Sequence, residues 1–248
     1  MAFYEELAAE YDKMTRFDER LPKERAMLQG WRERYRVQSV LDAACGTGLH
    51  AVLLAQMGIR TVGTDLSSAM LAQAKGHADQ LGVHVEWVQA SMENVATHVH
   101  QSFDAVFCFG NSLPHLLTPQ AFEAAASSFA QILHPAGILA IQLLNYTRVL
   151  SEKERVVGIH RHDNTEYVRF YDFLDPLIRF NVLTIQWQGD HAASTLNATT
   201  LYPYQQDEIE TILAQHGFGE FECFGDMQFH PFIPEQSPNV VIVANKKA

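Results

Sequence analysis

Residues 40–48, V-L-D-A-A-C-G-T-G, decide the fold of this chain. They join an apolar segment typical of a buried strand to a turn with two glycines, and helix-forming residues follow at once from Leu49. Glycine lets the backbone turn sharply and approach a ligand closely. The free N–H groups at the start of the following helix suit a carboxylate or a phosphate. The stretch therefore predicts a strand, a turn and a helix that bind a small ligand.

Two carboxylates indicate which ligand this is. Asp65 ends the next predicted strand, where an acidic side chain suits both hydroxyls of a ribose. Gly46-x-Gly48-x-x-Ala51 also fits a dinucleotide fingerprint, which keeps an NAD-dependent oxidoreductase as an alternative. Asp42 disfavours that alternative, because a carboxylate beside the turn repels a pyrophosphate. The same carboxylate attracts the ammonium and sulfonium groups of S-adenosylmethionine, which the sequence therefore predicts as the cofactor.

Strand and helix patterns alternate between residues 37 and 144, and this order demands parallel strands with right-handed crossovers. The first 35 residues are helical in pattern, and Pro22 is expected in the first turn of the second helix. After about Leu150, four β-rich segments separated by turn signals are typical of an antiparallel sheet. We therefore expect an N-terminal helical cover at 1–36, an S-adenosylmethionine-binding domain at 37–150 and 201–248, and a β-rich insert at 151–200.

Composition disfavours several other classes of protein. The chain has 248 residues, of which 47% are hydrophobic and 19% charged, so it can bury the core of one large α/β domain. Its net charge of −11 disfavours nucleic acid and anionic membranes as partners, and a small molecule is expected instead. Three cysteines without a C-x-x-C spacing indicate neither disulfides nor a metal site. With no signal-peptide or membrane-span pattern, we expect a soluble cytoplasmic protein.

The quoted stretch resembles motif I of class I S-adenosylmethionine-dependent methyltransferases, and most of the chain resembles glycine N-methyltransferase and its glycine/sarcosine relatives. The resemblance extends to 110–116 (G-N-S-L-P-H-L), 145–146 (N-Y), 201–204 (L-Y-P-Y) and 224–226 (F-G-D). It implies an α/β, doubly wound, mostly parallel seven-stranded sheet whose last strand is antiparallel. It also implies methyl transfer to a small molecule, with an amine nitrogen as the expected acceptor. A small-molecule O-methyltransferase and a non-catalytic S-adenosylmethionine-binding protein stay open as alternatives.

The resemblance further implies which residues contact the methyl donor. Arg20 is expected to bind the donor carboxylate, and Met92 to flank the adenine. Ser91 stands where many class I enzymes carry an aspartate for the adenine amino group, which puts that contact in doubt. The predicted donor-binding residues are Tyr11, Arg20, Asp42, Ala43, Gly46, Gly48, Asp65, Leu66, Met70, Ser91, Met92, Phe109, Gly110 and His115.

The predicted catalytic residues lie in the segments that carry the resemblance. Methyl transfer from a sulfonium is an in-line displacement, so orientation in a dry cavity supplies most of the rate. Asn111 is expected to orient an amine by accepting a hydrogen bond through its side-chain oxygen, and His115 to lie over the transferring methyl group. Tyr146 and Tyr202 are expected to line the acceptor pocket through their hydroxyl groups, with Tyr204 as a further candidate.

One departure from the family concerns the acceptor. Glycine N-methyltransferases have R-N-Y-D after the fifth strand, with an arginine for the substrate carboxylate, whereas this chain has Leu144 at the position of that arginine. A buried carboxylate without a cation is costly, so we expect a less acidic amine and poor activity on glycine. The alternative is that Arg148, or Arg169 from the insert, binds a carboxylate. The insert is expected to cover the acceptor side of the sheet, with a structural or dimerisation role equally open, and a homo-oligomer is not excluded.

Overall fold

Two β-sheets organise the chain in the computed structural model, which describes residues 2–247. The strands are β1 (Ser39–Ala43), β2 (Arg60–Asp65), β3 (Glu86–Gln89), β4 (Phe103–Cys108), β5 (Leu133–Leu144), β6 (Val156–His162), β7 (Thr165–Leu174), β8 (Leu177–Gln188), β9 (His191–Leu201), β10 (Phe218–Phe224) and β11 (Asn239–Lys246). The larger sheet has the order β10-β11-β5-β4-β1-β2-β3. Its strands β1 to β5 pair in parallel, and β11 runs antiparallel to β5 and β10. The predicted doubly wound α/β fold is confirmed.

The helices connect the strands of the larger sheet and cover its edge. They are α1 (Ala2–Thr15), α2 (Phe17–Tyr35), α3 (Leu49–Gln56), α4 (Ser68–Leu81), α5 (Val95–His98), α6 (Pro119–Ile132), α7 (Tyr146–Glu152) and α8 (Gln206–Gln215). Short 3₁₀ turns add Met92–Asn94 and Leu113–His115. The structure thus has two helices in the predicted N-terminal cover, whereas α5 and α7 were not predicted.

The ends of two helices follow the expected capping chemistry. The hydroxyl oxygen of Ser67 accepts the N–H of Met70 at 3.1 Å, and α4 ends at Gly82 in a left-handed conformation. Thr118 caps α6 in the same way. The prediction for Pro22 was wrong, because α2 begins at Phe17 and the proline lies inside the helix. The break before α2 is only one residue long, so no run of turn-forming residues marks it in the sequence.

Buried side chains pack on both faces of the larger sheet. Val40 and Leu41 are fully buried neighbours in β1 that belong to separate clusters, since successive side chains of a strand point to opposite faces. The strand order reverses between β1 and β4, and open α/β sheets bind ligands outside the carboxyl ends of the strands at such a point. The loops after both strands therefore position the site. Among the described residues, no helix has the length and apolar character needed to cross a membrane.

The smaller sheet is an antiparallel meander in the order β6-β7-β8-β9. It follows α7, which leaves the carboxyl end of β5, and it agrees with the four β-rich segments predicted for the insert. Helix α1 is attached to it by two hydrogen bonds: the hydroxyl of Tyr167 donates to Glu10 at 2.6 Å, and the amide of Asn197 donates to Glu6 at 2.7 Å. The cover and the insert therefore meet above the carboxyl edge of the larger sheet.

Candidate active site

A cavity of about 400 Å³ lies where the cover, the insert and the larger sheet meet. Its size falls within the range of small-molecule pockets. The cover contributes Tyr4, Tyr11 and Arg20 to its wall, and the loop after β4 contributes Phe109, Gly110, Asn111 and His115. The insert contributes Val157, Arg169, Tyr171 and Phe180. Six of these eleven residues are predicted site residues, namely Tyr11, Arg20, Phe109, Gly110, Asn111 and His115, and Arg169 is the alternative candidate for a carboxylate.

The glycine turn has the sharply turned backbone that its sequence predicts. Gly46 has φ 56° and Gly48 has φ 83°, both in the left-handed region that favours glycine. A Cβ at Gly48 would lie 2.8 Å from the Cβ of Ala74 and from the ring of Trp87, so α4 and β3 close this side of the turn. Apart from the chain neighbours of Gly46, no atom of the described residues lies within 4 Å of a Cβ placed there, so the turn faces open space at this position. A ligand can approach the backbone at Gly46.

Asp65 holds the glycine turn from the end of β2. Its Oδ2 accepts the backbone N–H of Gly46 at 2.9 Å, and its Oδ1 accepts the N–H of Ser67 at 2.8 Å. Burial raises the pKa of this carboxyl above its usual value, against the lowering effect of these hydrogen bonds. A carboxylate has about four lone-pair sites, so oxygen acceptors remain for the hydroxyls of a ribose.

Asp42 contributes a buried carboxylate beneath the turn. Its side chain is only 2% exposed, and its Oδ2 has no hydrogen-bond partner among the residues that the structure describes. Burial raises the pKa of Asp42 to about 6, although His50 nearby opposes this effect. An orphaned anionic oxygen in this position fits a cationic ligand group and disfavours a phosphate. The residues at the turn therefore fit S-adenosylmethionine, whose ammonium such an oxygen attracts.

The predicted adenine end is built around the loops after β2 and β3. Leu66 is 42% exposed there, and Met92 is half-buried with its sulfur 3.6 Å from that of Cys108. Ser91 caps the 3₁₀ turn, and its backbone N–H donates to the side chain of Asn94. Two further residues predicted to bind the donor, Ala43 and Met70, are each 1% exposed and belong to the interior.

Arg20 lies in the cavity wall as part of a hydrogen-bonded triad that the sequence did not predict. Its Nε and Nη2 donate to Oε1 of Glu24 at 3.2 and 3.0 Å, and Nε2 of His50 lies 3.3 Å from Oε2 of the same carboxylate. Burial acts to raise the pKa of Glu24, but hydrogen bonds from His50 and Arg20 outweigh it and hold the pKa at about 2. The i, i+4 spacing of Arg20 and Glu24 on α2 was the available signal.

His115 and Tyr4 form a neutral pair at the other end of the cavity. The Tyr4 hydroxyl lies 2.8 Å from Nε2 of His115. Burial lowers the pKa of His115 to about 4 and raises that of Tyr4 well above its usual value, so both are neutral near pH 7. Tyr11 also lines the cavity from α1. The structure therefore brings His115 and Tyr11 together, as the sequence predicts.

Asn111 links the loop after β4 to the start of α7. Its Oδ1 accepts the backbone N–H of Leu144 at 3.0 Å, and its Nδ2 lies 3.0 Å from the hydroxyl of Tyr146. The backbone of Asn111 is left-handed, with φ 63°. The N–H of the preceding Gly110 donates to the side chain of Gln142 at 2.7 Å, a further cavity residue that the sequence analysis missed. The Tyr146 hydroxyl also lies 3.2 Å from Oδ1 of Asn111. These contacts fix the side chain of Asn111.

Tyr202 lies outside this cavity. Its hydroxyl donates to Glu208 at 3.0 Å, and the ring faces a separate cavity beside Leu150. Leu201, one residue earlier in the chain, lines the main cavity instead, because β9 ends there and successive side chains point in opposite directions. The hydroxyl of Tyr204 donates to the carbonyl oxygens of Leu116 and Thr118 at 2.8 Å each. Neither tyrosine meets the other predicted catalytic residues.

Arg148 and Arg169 occupy different environments. Arg148 lies on α7, where its Nε donates to Glu152 at 3.0 Å, and it does not line the cavity. Arg169 lies on β7 in the cavity wall, and its buried Nε has no hydrogen-bond partner among residues 2–247. Leu144 faces the same cavity. Within the same residues, no group of three potential metal ligands occurs.

Comparison with known proteins identifies the domain that contains the glycine turn. Residues 40–137 match the family model described as a methyltransferase domain. The chain is 28% identical over 232 residues to a glycine/sarcosine N-methyltransferase from Aphanothece halophytica, covering 91% of this chain and 83% of that protein. It is 35% identical over 108 residues to a ubiquinone biosynthesis O-methyltransferase from Xanthomonas axonopodis pv. citri, 44% of each chain. The chain is a class I S-adenosylmethionine-dependent methyltransferase.

The whole fold also has a counterpart among solved structures. An S-adenosylmethionine-dependent methyltransferase from Clostridium acetobutylicum superimposes with a TM-score of 0.83, at 17% identity over 99% of both chains. At this identity the match establishes the fold, including the cover and the insert, which lie outside the residues that the family model matches. Enzyme class and cofactor agree with the predictions from the sequence, and the dinucleotide alternative is not supported.

Proposed function

We propose that this enzyme transfers the methyl group of S-adenosylmethionine to an amine nitrogen of a small molecule bound in the cavity. The observation that carries the proposal is the shared cavity wall: Arg20 lies on one part of it, and Asn111 and His115 lie on another. One cavity thus joins the arginine predicted for the donor carboxylate to the residues predicted for the acceptor. A shared cavity can hold two reactants in line, which is most of what this displacement needs.

When bound, S-adenosylmethionine supplies an electrophilic methyl group. The protein would hold it by Asp65 at the ribose, by Asp42 at the ammonium and by Arg20 at the carboxylate. The nitrogen lone pair of the acceptor forms the new N–C bond while the S–C bond breaks and its electron pair stays on sulfur. The resulting substituted ammonium then loses its proton to solvent as the product leaves.

The acceptor end is suited to a neutral amine. Leu144, Phe180 and Leu201 give the cavity an apolar wall, and such surroundings disfavour a protonated amine. Asn111 is proposed to accept a hydrogen bond from the amine through its Oδ1, with the Tyr146 hydroxyl accepting from Nδ2 of Asn111. His115 and Tyr4 are proposed to orient the acceptor as neutral groups, since the pKa of His115 is lowered to about 4 by burial.

A methyl-transfer screen tests the function. Purified enzyme and S-adenosylmethionine with a labelled methyl group are incubated separately with amines, amino acids, phenols and carboxylic acids. We expect label on nitrogen only. Asn111→Ala should lose transfer while binding the donor normally, and Asn164→Ala, which alters an exposed amide in the turn between β6 and β7, serves as its control. Label on oxygen alone would establish an O-methyltransferase, and donor binding without transfer to any compound would favour a non-catalytic protein.

We also propose that the enzyme is cytoplasmic, does not act on nucleic acid and forms a homo-oligomer. The charge of −11 supports the second point. The outer face of the insert supports the third, because Ile159, Val168, Leu183 and Leu196 form one row across its strands. Ile159 is 63% and Leu196 57% exposed. Light scattering after size exclusion should give a multiple of 28.0 kDa, and Leu196→Lys should reduce it to the monomer.

A further inference from the structure

The insert places a guanidinium in the wall of the active-site cavity. Arg169 lies in the middle of β7, two residues after Tyr167 and two residues before Tyr171, both of which are buried. Residues two apart in a strand lie on one face, so Arg169 shares the face of these two tyrosines. The glycine opposite it in β6, Gly158, leaves room for the side chain, since a Cβ there would lie 3.1 Å from Nη2 of Arg169. The strand pairing thus fixes the guanidinium at the cavity.

This guanidinium lacks the partners that a buried cation needs. Its Nε is buried and has no hydrogen-bond partner among the described residues. Burial lowers the pKa of Arg169, and the nearby Arg16 lowers it further. Only Tyr11 and Tyr171 act to raise this pKa, and neither is a carboxylate. Burying an unpaired charge costs free energy, and an anionic ligand that pairs with the guanidinium would offset this cost. Arg20, the other arginine of the cavity wall, already has Glu24 as its partner.

Neighbouring residues place Arg169 on the acceptor side of the cavity. Tyr171, two residues from Arg169 on β7, belongs to the same buried cluster as Tyr146, and the Tyr146 hydroxyl lies 3.0 Å from Nδ2 of Asn111. Tyr11 lines the cavity together with both arginines. Arg20 belongs to the triad with His50 in the first turn after Gly48, at the donor end.

We propose that Arg169 binds the carboxylate of the acceptor, which is therefore a small amino acid. This inference rests on the proposed function and deepens it. A guanidinium donates two parallel hydrogen bonds to a carboxylate, a geometry that orients the acceptor as well as holding it. The segment after β5 has Leu144 at the position where glycine N-methyltransferases have an arginine. In this chain the insert provides a guanidinium instead, that of Arg169. Activity on glycine or a related amino acid is expected, contrary to the expectation that Leu144 alone suggested.

Kinetics on matched acceptors test the assignment. Methyl transfer to glycine and sarcosine is compared with transfer to their neutral amides in the native enzyme and in Arg169→Gln, Arg169→Lys and Arg148→Gln. Arg169→Gln should raise KM for the carboxylates about 10- to 100-fold and affect the amides much less. Arg169→Lys should recover part of the loss. Arg148→Gln removes an exposed arginine of a neighbouring element and should leave both acceptor series unchanged.

A binding measurement separates this inference from the proposed function. Calorimetry of acetate binding to the complex with S-adenosylhomocysteine needs no turnover, and it should detect binding to the native protein that Arg169→Gln abolishes. The Kd of S-adenosylhomocysteine itself should be unchanged in the variant, which also shows that it is folded. An equal rise in KM for the carboxylates and the amides in Arg169→Gln would overturn the assignment. Unimpaired acetate binding in the same variant would also overturn it. A weakened donor with normal acceptor kinetics would place Arg169 on the donor carboxylate instead.

Discussion

Nε2 of His77 lies 3.1 Å from Oδ2 of Asp12, and this contact ties the cover helix α1 to α4. Nδ1 of the same ring lies 2.8 Å from the carbonyl oxygen of Thr47 in the glycine turn. The hydroxyl of Thr47 donates to Asp12 at 2.7 Å, and Phe17 stacks on the imidazole with ring centroids 3.9 Å apart. Both ring nitrogens face acceptors, so only the protonated ring donates to both. Protonation of this ring therefore strengthens the attachment of the cover to the donor loop.

Stability should therefore depend on pH through His77. Burial acts to lower its pKa, but the bonds to Asp12 and Thr47, with Asp18 nearby, raise the pKa above its usual value. A raised pKa means that the stabilisation is fully present below about pH 6.5 and is lost as the pH rises through the folded value. His77→Gln should lower Tm by about 2–4 °C at about pH 6, for a loss of about 1 kcal/mol, and by less at about pH 9.

Thermal melts of the native protein, His77→Gln and His84→Gln at both pH values check this. His84 is an exposed histidine just after α4 and should show no pH-dependent effect on replacement. An equal loss of Tm at both pH values in His77→Gln would mean that the ring acts by packing against Phe17 and not by its charge.

Replacement of Asp65 should weaken donor binding. Asp65→Ala removes acceptors for the ribose hydroxyls, each worth about 1.5–3 kcal/mol, and also frees the N–H groups of Gly46 and Ser67. We expect the Kd of S-adenosylmethionine measured by calorimetry to rise at least tenfold. Asp79→Ala, an exposed aspartate on α4, should leave it unchanged. A native Kd in folded Asp65→Ala would show that Asp65 does not hold the ribose.

Donor binding should also weaken in acid because of Asp42. Burial raises the pKa of this carboxyl to about 6, so it is ionised at about pH 7.5 and mostly protonated at about pH 5. Protonation removes the anionic partner of the donor ammonium, and the Kd should rise about tenfold between these values. Asp42→Asn should bind more weakly at about pH 7.5 and lose most of this dependence. If the variant keeps the native pH profile of the Kd, another group is responsible.

The sequence predicted both sheets well because local signals agreed with the fold at each step. The turn at Gly46 and Gly48, the cap at Ser67 and the apolar alternation of β8 each need only neighbouring residues to be recognised. The cavity wall was harder, since it joins residues that are distant in the chain. Whether Leu201 or Tyr202 faces the cavity depends on where β9 ends, and a shift of one residue exchanges them.

Charge partners were the least predictable part of the site. Arg20 is four residues from its partner Glu24 on the same helix. The other partner of Glu24 is His50, which comes from another helix. Arg169 was one of two candidates in the sequence, and nothing in its local sequence separates it from Arg148. The difference is that β7 directs Arg169 into the cavity while α7 pairs Arg148 with Glu152. Tertiary packing alone makes that choice.

A bulky residue at Gly46 should damage donor binding more than it damages folding. Gly46 and Gly58 both have positive φ, 56° and 78°, and a Cβ would meet no atom within 4 Å at either position. Valine therefore costs similar backbone strain at both, about 1–2 kcal/mol, which lowers Tm by a few degrees. Gly58 follows α3, whereas Gly46 faces the space proposed for the donor. Calorimetry should show S-adenosylmethionine binding abolished in Gly46→Val and nearly native in Gly58→Val. Equal Kd values in the two variants would mean that the donor does not approach the turn at Gly46.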